Sequence, residues 1–513
     1  MLRPSKPQRG VRFSLPAPLF ININMNDAVI LSHSLVMSRY AGPYVAANSA
    51  RKAGYQVKVL DYFLHHDNIE EYIKPHVGPN TKLLAISSTF IYRNTKDRHT
   101  WYNILMDEMT CLHCDSKEQL KEWFASIRKV IPKDCKIAIA GERVNRIYEY
   151  WPYIPEDHPL KTSVDLYFLG RDDDALYKFL SDNYRLRKEK FIFDNQSNFF
   201  ATADIPNQIY TDKDCIIPQE VLSIEISRGC AFNCKYCNYD KATVNKKQMQ
   251  AIENDFNYYY EKFGVSKYHF TTECFNDNIG FVREFHNLTK RLDYKLNWVS
   301  YARPDLCWKY PEVPELMLES GAIANFYGVE TMNHEAAKFS GRGLHFDKIM
   351  KVFEKFKSLD PNYMIHAFFI IGLPKDTIKS IISFGEWISK QNIIDSAKFE
   401  VLGIMPLMTD AVKLWHNAEY AVDPKKYGFN EVRFYPDFYW KHDTMNHVQA
   451  VRLYNYIQDK CKENPYLTGP VLDIVNLMAE GIDRSDYKNK STFNNDIQEK
   501  ILTEYFDRIQ MVP

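Results

Sequence analysis

No stretch of this 513-residue chain approaches the roughly 20 consecutive apolar residues that a membrane helix needs. The opening segment, MLRPSKPQRGVRFSLPAPLF, is basic and proline-rich. It lacks the apolar core of about 7–15 residues that marks a secretory signal, and residues 1–21 are expected to be a disordered leader. There is no excess of charge: Lys+Arg and Asp+Glu each total 65, so nucleic acid is not indicated and no membrane surface is implied. The phosphate-binding GxxxxGK[ST], the zinc-protease HExxH and the hydrolase GxSxG are all missing, as are internal repeats and low-complexity tracts. The ten cysteines are scattered without the regular pattern of a disulfide framework, which points to a reducing, cytoplasmic setting.

What is present is alternation. Hydrophobic residues make up 45% of the chain, enough for packed cores, and 513 residues are too many for one of them. Residues 22–184 alternate strand and helix signals: AVILSHS (28–34), QVKVLDYF (56–63), TKLLAISST (81–89), KIAIAG (136–141) and DLYFLG (165–170) read as strands. The intervening segments, such as 43–56 and 117–131, read as helices. This pattern predicts an α/β, doubly wound Rossmann-like domain whose ligands bind at the carboxyl ends of the strands, near Ser87, Ser88, Gly141 and Gly170. Residues 185–217 show no clean period and read as a linker. A second alternating series over 218–415 contains six strand–helix repeats and predicts a partial (β/α)6 barrel with its site at the carboxyl ends of the strands. Residues 416–513 read as a mostly helical C-terminal region, expected to form part of the cover over the barrel mouth.

Just after the first barrel strand stands EISRGCAFNCKYCNYD, which spaces Cys230, Cys234 and Cys237 as C-x3-C-x2-C. A cubane cluster normally takes four thiolates. Three from one loop hold three irons and leave the fourth open to chelate the amino and carboxylate groups of a methionine moiety. An electron passed through that cluster can then break a sulfonium carbon–sulfur bond. A zinc knot completed by a distant histidine, and ordinary buried thiols, are the other readings. No second CxxC or HxxxH follows at the usual distance.

The triplet and the motifs after it resemble the radical S-adenosylmethionine superfamily over about residues 218–410. Tyr236, the aromatic before the last cysteine, sits where family members contact adenine. FTTECFNDN (270–278) falls at the second-strand motif, with Glu273 as an acceptor for the substrate ammonium. NWVSYARPDL (297–306) resembles the strand that would carry Ser300 and Arg303, the latter suited to the methionine carboxylate. GVET (328–331) resembles the family's GIES element and contributes Glu330. IIGLP (370–374) resembles the sixth-strand turn beside adenine, with Gly372 and Pro374. The resemblance implies a 4Fe–4S cluster that reductively cleaves S-adenosylmethionine to a 5′-deoxyadenosyl radical, fed by a one-electron donor such as flavodoxin or ferredoxin. GRG at 341–343 is a lone glycine loop and is given no role.

Within that superfamily the chain resembles the subgroup with an N-terminal cobalamin-binding-like domain, through Gly54–Asp61, Ser87-Ser88, Gly141 and DLYFLGRDDDAL (165–176). Cobalamin and methyl transfer are therefore among its implications. The departures are the missing DxHxxG, which leaves no histidine marked as a cobalt ligand, and Gly141-Glu142 in place of GG. The alternatives are cobalamin-independent radical modification (rearrangement, methylthiolation or dehydrogenation) and a non-catalytic metal-binding protein. Cys111 and Cys114, in CLHC, read as a loop pair of thiols. His65 and His66 read as part of a solvated turn.

Overall fold

The computed structural model describes residues 26–34, 38–88, 91–93, 109–111, 116–141, 143–170, 173–181, 188–193, 208–238, 244–404, 418–433, 439–467 and 495–511. The expected leader, the side chain of Cys111 and the whole of Cys114 lie outside them.

The N-terminal sheet is built from short strands with both faces covered, as a parallel sheet requires. Its members are β1 (Ala28–Leu31), β3 (Val57–Leu60), β4 (Leu83–Ser87), β5 (Lys136–Ala140), β6 (Leu166–Leu169) and β7 (Phe191–Phe193), in the spatial order β3-β1-β4-β5-β6-β7. All its described pairings are parallel. The sequence order reverses direction between β1 and β4, and the crevice outside the carboxyl ends of those two strands is where such sheets take ligands. Helix α1 (Ala41–Lys52) covers one face and α2 (Lys117–Val130) the other, burying Leu120, Trp123, Phe124 and Ile127 at helical spacing. Strand β7 falls inside the span read as linker. Its Phe191 and Phe193 pack on the sheet core, so this part of 185–217 completes the first domain.

The second sheet contains β8 (Val221–Ile224), β9 (Lys267–Phe270), β10 (Asn297–Ala302), β11 (Ala322–Glu330), β12 (Met364–Ile371) and β13 (Ser396–Val401), neighbours in sequence and in space. These are the six strands expected of the partial barrel. A helix such as α3 (Phe346–Leu359) buries Phe346, Ile349, Met350, Phe353 and Phe356 against the outer face of the sheet. A seventh strand extends the open edge: β2 (Ser38–Arg39), from the N-terminal half, pairs parallel with β8 through Val221↔Ser38 and Leu222↔Arg39.

Arg39 is fully buried at this junction. It makes a two-point ion pair with Glu220 (Nε–Oε1 2.7 Å, Nη2–Oε2 3.0 Å) and donates to Tyr44 Oη (2.6 Å) and to the carbonyls of Asp214 and Cys215. Its guanidinium also lies 4.9 Å from the ring centre of Tyr505. Tyr505 belongs to α5 (Asn495–Met511), whose Leu502, Tyr505, Phe506 and Ile509 enter the core of the N-terminal sheet. This part of the C-terminal region therefore packs on the first domain and not over the barrel mouth. The region also holds a small antiparallel sheet, β14 (Phe429–Arg433), β15 (Tyr439–His442) and β16 (Met445–Asn446), before helix α4 (His447–Glu463).

Candidate active site

The loop carrying Cys230, Cys234 and Cys237 leaves β8 at the carboxyl edge of the barrel and is fixed from three directions. The amide of Lys235 donates to the carbonyl of Ser340 (3.0 Å), and the carbonyl of Lys235 accepts from the amide of Tyr420 (3.1 Å). Glu419 Oε1 accepts from Asn233 Nδ2 (2.9 Å) and Lys235 Nζ (2.7 Å). Gly341, at φ +85°, passes so close that a Cβ there would stand 3.0 Å from the Asn233 carbonyl oxygen and 3.4 Å from Cys234 Cα. Only glycine allows both that conformation and that approach.

All three cysteines are present as thiols; Cys234 is buried and the other two are half-buried. Burial pushes the Cys230 thiol above its ordinary pKa. Among the described residues no three His, Cys, Asp or Glu side chains converge around a point as ligands of a single ion would. A cubane binds each thiolate at a different iron, so its ligands stand wider apart than those of one ion. A donor set of three sulfurs on one rigid loop fits a cluster with one open iron.

Two guanidinium groups flank the loop. Arg303 follows β10 and begins the helix Pro304–Lys309. Asp305 engages it at Nε (2.9 Å) and Nη2 (2.6 Å), Phe232 stacks beneath it at 3.7 Å, and Nη1 reaches Cys234 Sγ at 3.6 Å. The Arg303 guanidinium in turn holds the Asp305 carboxyl below its ordinary pKa against the opposing effect of burial. Arg342 lies on the other side. It donates through Nη2 to Glu330 Oε1 (2.5 Å) and through Nε to Tyr236 Oη (3.3 Å). Burial drives the Tyr236 phenol well above its ordinary range, so it stays protonated. Glu330 is buried in a left-handed conformation, φ 72°, at a register shift between β11 and β12. Such a conformation in a non-glycine residue costs energy, which the Arg342 contact helps offset.

Most of the expected site residues gather here. Tyr236, Glu330 and Arg303 surround the cysteine loop, and Glu273 accepts from the amide of Gly229 (3.1 Å), next to Cys230. Ser300 does not join them: it shares the outward face of Trp298 and Ala302, and its hydroxyl donates to the Phe270 carbonyl (3.3 Å). Gly372 lies under the C-terminal region; a Cβ on it would stand 2.5 Å from Trp440 and 3.1 Å from Ala450. Pro374, buried, continues that turn. Arg342 was missed. Its only signal was the GRG string, whose first glycine makes the close pass behind Cys234.

The edge of the N-terminal sheet lies beside this loop. Arg228, two residues before Cys230, pairs with Glu225 (2.6 Å) and with Asp173 (3.1 Å), just beyond β6. Just past β5, at the ends of β4 and β5, Gly141 (φ +111°) approaches so that a Cβ would stand 2.8 Å from Ser88 Oγ. His33, just past β1, packs against His65 (ring centres 5.3 Å apart), and its Nδ1 is buried with no hydrogen-bond partner among the described residues. His66 is also buried, stacked on Tyr72 at 4.8 Å, so the expected solvated turn is instead part of this edge. Burial pushes the His33 pKa down to about 4. A bare glycine beside a serine, with a buried imidazole nitrogen nearby that has no partner among the described residues, fits a ligand resting on the strand ends.

Residues 224–388 match the family model described as Radical SAM superfamily, whose members use a 4Fe–4S cluster and S-adenosylmethionine. A methyltransferase of Pyrococcus horikoshii, PH0819, itself uncharacterised, is 23% identical over 204 residues, covering 38% of this chain and 41% of that relative. Among solved structures, the fold is similar to the radical S-adenosylmethionine methyltransferase TsrM of Kitasatospora setae, a structure with cobalamin and a 4Fe–4S cluster bound. That match has TM-score 0.56 and 13% identity, and covers 94% of this chain and all of that one. It is also similar to the cobalamin-dependent radical enzyme OxsB, with TM-score 0.50 and 12% identity, over 79% of this chain and 56% of that one. At such identities the likeness is one of fold, and it extends through both sheets.

Proposed function

We propose, from the radical S-adenosylmethionine domain at residues 224–388, that this chain is a methyltransferase that pairs radical cleavage of S-adenosylmethionine with a cobalamin held on its N-terminal sheet. The observation that carries the reading is the adjacency of the two strand edges. Arg228 and Asp173 tie the start of the cysteine loop to the loop after β6, which brings the two strand edges together.

Cys230, Cys234 and Cys237 would hold the cluster. The cluster and cobalamin, when bound, supply the electron transfer and the transferable methyl group. The chain's own residues orient and protect. Arg303 uses two donors on Asp305 and turns the third toward Cys234, so its positive charge favours anionic sulfur. Arg342, Glu330 and Tyr236 form a hydrogen-bonded set beside the loop, suited to the polar parts of S-adenosylmethionine. Glu273 accepts from the Gly229 amide and would place its carboxylate toward the methionine ammonium. His33, Ser88, Gly141 and Gly170 would line the corrin side. A small one-electron carrier in a reducing compartment would complete the system.

The test is anaerobic reconstitution with iron and sulfide, then with hydroxocobalamin. The expected results are a brown, oxygen-labile protein, 5′-deoxyadenosine or S-adenosylhomocysteine on adding a reductant, and retained cobalt after desalting. Cys234→Ala should lose the brown chromophore. 5′-Deoxyadenosine with neither S-adenosylhomocysteine nor retained cobalt would leave radical modification and remove methyl transfer. Neither nucleoside product would end the enzyme reading.

A further inference from the structure

The inner face of the barrel carries a second set of groups that none of the roles above uses. Along β9–β12 the residues alternate: Tyr268, Phe270, Trp298, Ala302, Tyr327, Ala367 and Phe369 point into the helix-covered core. The opposite face presents His269, Tyr301, Phe326, His366 and Phe368, with Lys398 on β13. Register places Tyr301, Phe326 and His366 side by side across three strands, with Phe368 and Lys398 two residues nearer the cysteine loop.

Two features of this face are unusual. The first is unmet hydrogen bonding. His366 is completely buried, and among the described residues neither of its ring nitrogens has a hydrogen-bond partner; His269 Nε2 is also buried and, among the described residues, unpartnered. Both rings meet Phe326 edge-on, at 5.8 Å. Burial pushes His366 down to about 3 and His269 to about 4, so each is neutral near pH 7 and offers one donor and one acceptor. An orphaned polar group of this kind costs about 1–3 kcal/mol, which argues that something polar meets it in the working state. The second feature is an open aromatic wall. Tyr301 is 41% exposed although Ser300 and Ala302 on either side are buried, and its ring runs nearly parallel to that of Phe368 (27°, 5.8 Å). An exposed aromatic in mid-strand means that the described residues leave this part of the inner face uncovered.

We propose that this face is the substrate slot, and that the substrate brings a flat aromatic or heteroaromatic ring with a neutral hydrogen-bonding edge. The ring lies along Tyr301 and Phe368, and its polar edge exchanges hydrogen bonds with His366 and His269. Lys398, 5.7 Å from the Phe368 ring centre and half-exposed, stands at the rim in an ion pair with Glu400 (3.2 Å). Aromatic stacking and buried hydrogen bonds discriminate in different ways, so both should be measurable apart. The proposal rests on the radical reading only in calling the occupant a substrate.

The test is equilibrium binding to the full chain, with and without the reconstituted cluster, by ligand-observed NMR. The probe is 2-quinolone, a flat lactam with a donor and an acceptor. 1-Methyl-2-quinolone lacks the donor, and δ-valerolactam lacks the aromatic ring. We expect 2-quinolone to bind, and each analogue to bind about tenfold more weakly. His366→Phe and Tyr301→Leu should each weaken 2-quinolone by a similar factor. His366→Phe should leave thermal stability unchanged or raised, because it removes two orphaned nitrogens. Tyr301 is exposed, so its variant folds in any case. Absence of 2-quinolone binding, equal affinity for δ-valerolactam, or unchanged affinity in the Tyr301 variant would overturn the proposal. Because the slot requires no turnover, a protein that makes no 5′-deoxyadenosine still gives a decisive answer here.

Discussion

Gly328 is the position at which a single methyl group interrogates the active-site arrangement. Its backbone does not lie in the left-handed region, so alanine meets no conformational penalty there. The penalty is local: a Cβ would overlap Arg342 Nη2 and stand 2.5 Å from Glu330 Oε1. The Gly328→Ala variant must therefore push the guanidinium out of the space that the missing side chain leaves for it. Overpacking by a methyl costs about 1–3 kcal/mol, and losing a hydrogen bond between charged groups about 1.5–3 kcal/mol. Part of the strain is relieved when the pair separates, so a net loss of about 2 kcal/mol is expected, seen as a fall in melting temperature of roughly 4–8 °C. S-adenosylmethionine should bind about tenfold more weakly, equivalent to about 1.4 kcal/mol. The assay is equilibrium dialysis on reconstituted protein with iron and sulfide contents matched to wild type, beside calorimetric unfolding. Affinity within twofold of wild type, at full cluster content and with the expected loss of stability, would refute the role given to Arg342 and Glu330.

Two further perturbations follow from buried charges. Asp376 is buried against Thr331 Oγ1 (3.0 Å), and desolvation raises its pKa to about 7 from an ordinary 3.8. Folding then favours the protonated acid, so stability is complete below about pH 4 and is lost as pH climbs to 7, by up to about 4 kcal/mol; in urea melts, Asp376→Asn should gain on wild type across that window, and parallel curves would contradict the assignment. Arg39→Met leaves Glu220 buried without its counter-charge and should cost about 3–5 kcal/mol, with Arg39→Met/Glu220→Leu recovering much of the loss; additive losses in chemical denaturation would show that the two residues do not act as a pair.

Apart from β2 and β7, the strands of both large sheets could be read from the sequence because most are short apolar runs bounded by glycine or a small polar residue. KIAIAG and AIANFYGVE state their length and their end. The cysteine loop could be read because its chemistry needs a spacing that packing does not. What escaped was set by partners distant in sequence. Ser38–Arg39 is too short for any period to show, and becomes a strand only because Val221 and Leu222 offer an open edge. Arg342 belongs to the site because Gly341 brings its turn behind Cys234. Ser300 was placed in the site by its neighbourhood to Arg303, but strand alternation turns it outward. Gly372 has the left-handed conformation (φ +92°) its motif suggests, yet the surface it leaves is met by Trp440, more than sixty residues later.

The route of the chain has a consequence for its synthesis. Residues near the start supply an edge strand to the barrel, and residues near the end supply a helix to the first sheet. As the polypeptide leaves the ribosome, the Rossmann-like sheet emerges early but lacks Tyr505 and Phe506, the side chains that close its core. It must wait, with that apolar surface open, until about three hundred residues of barrel and C-terminal region have been made. The order of translation therefore sets when the first sheet can close its core, and its uncovered apolar surface is open to aggregation during that interval.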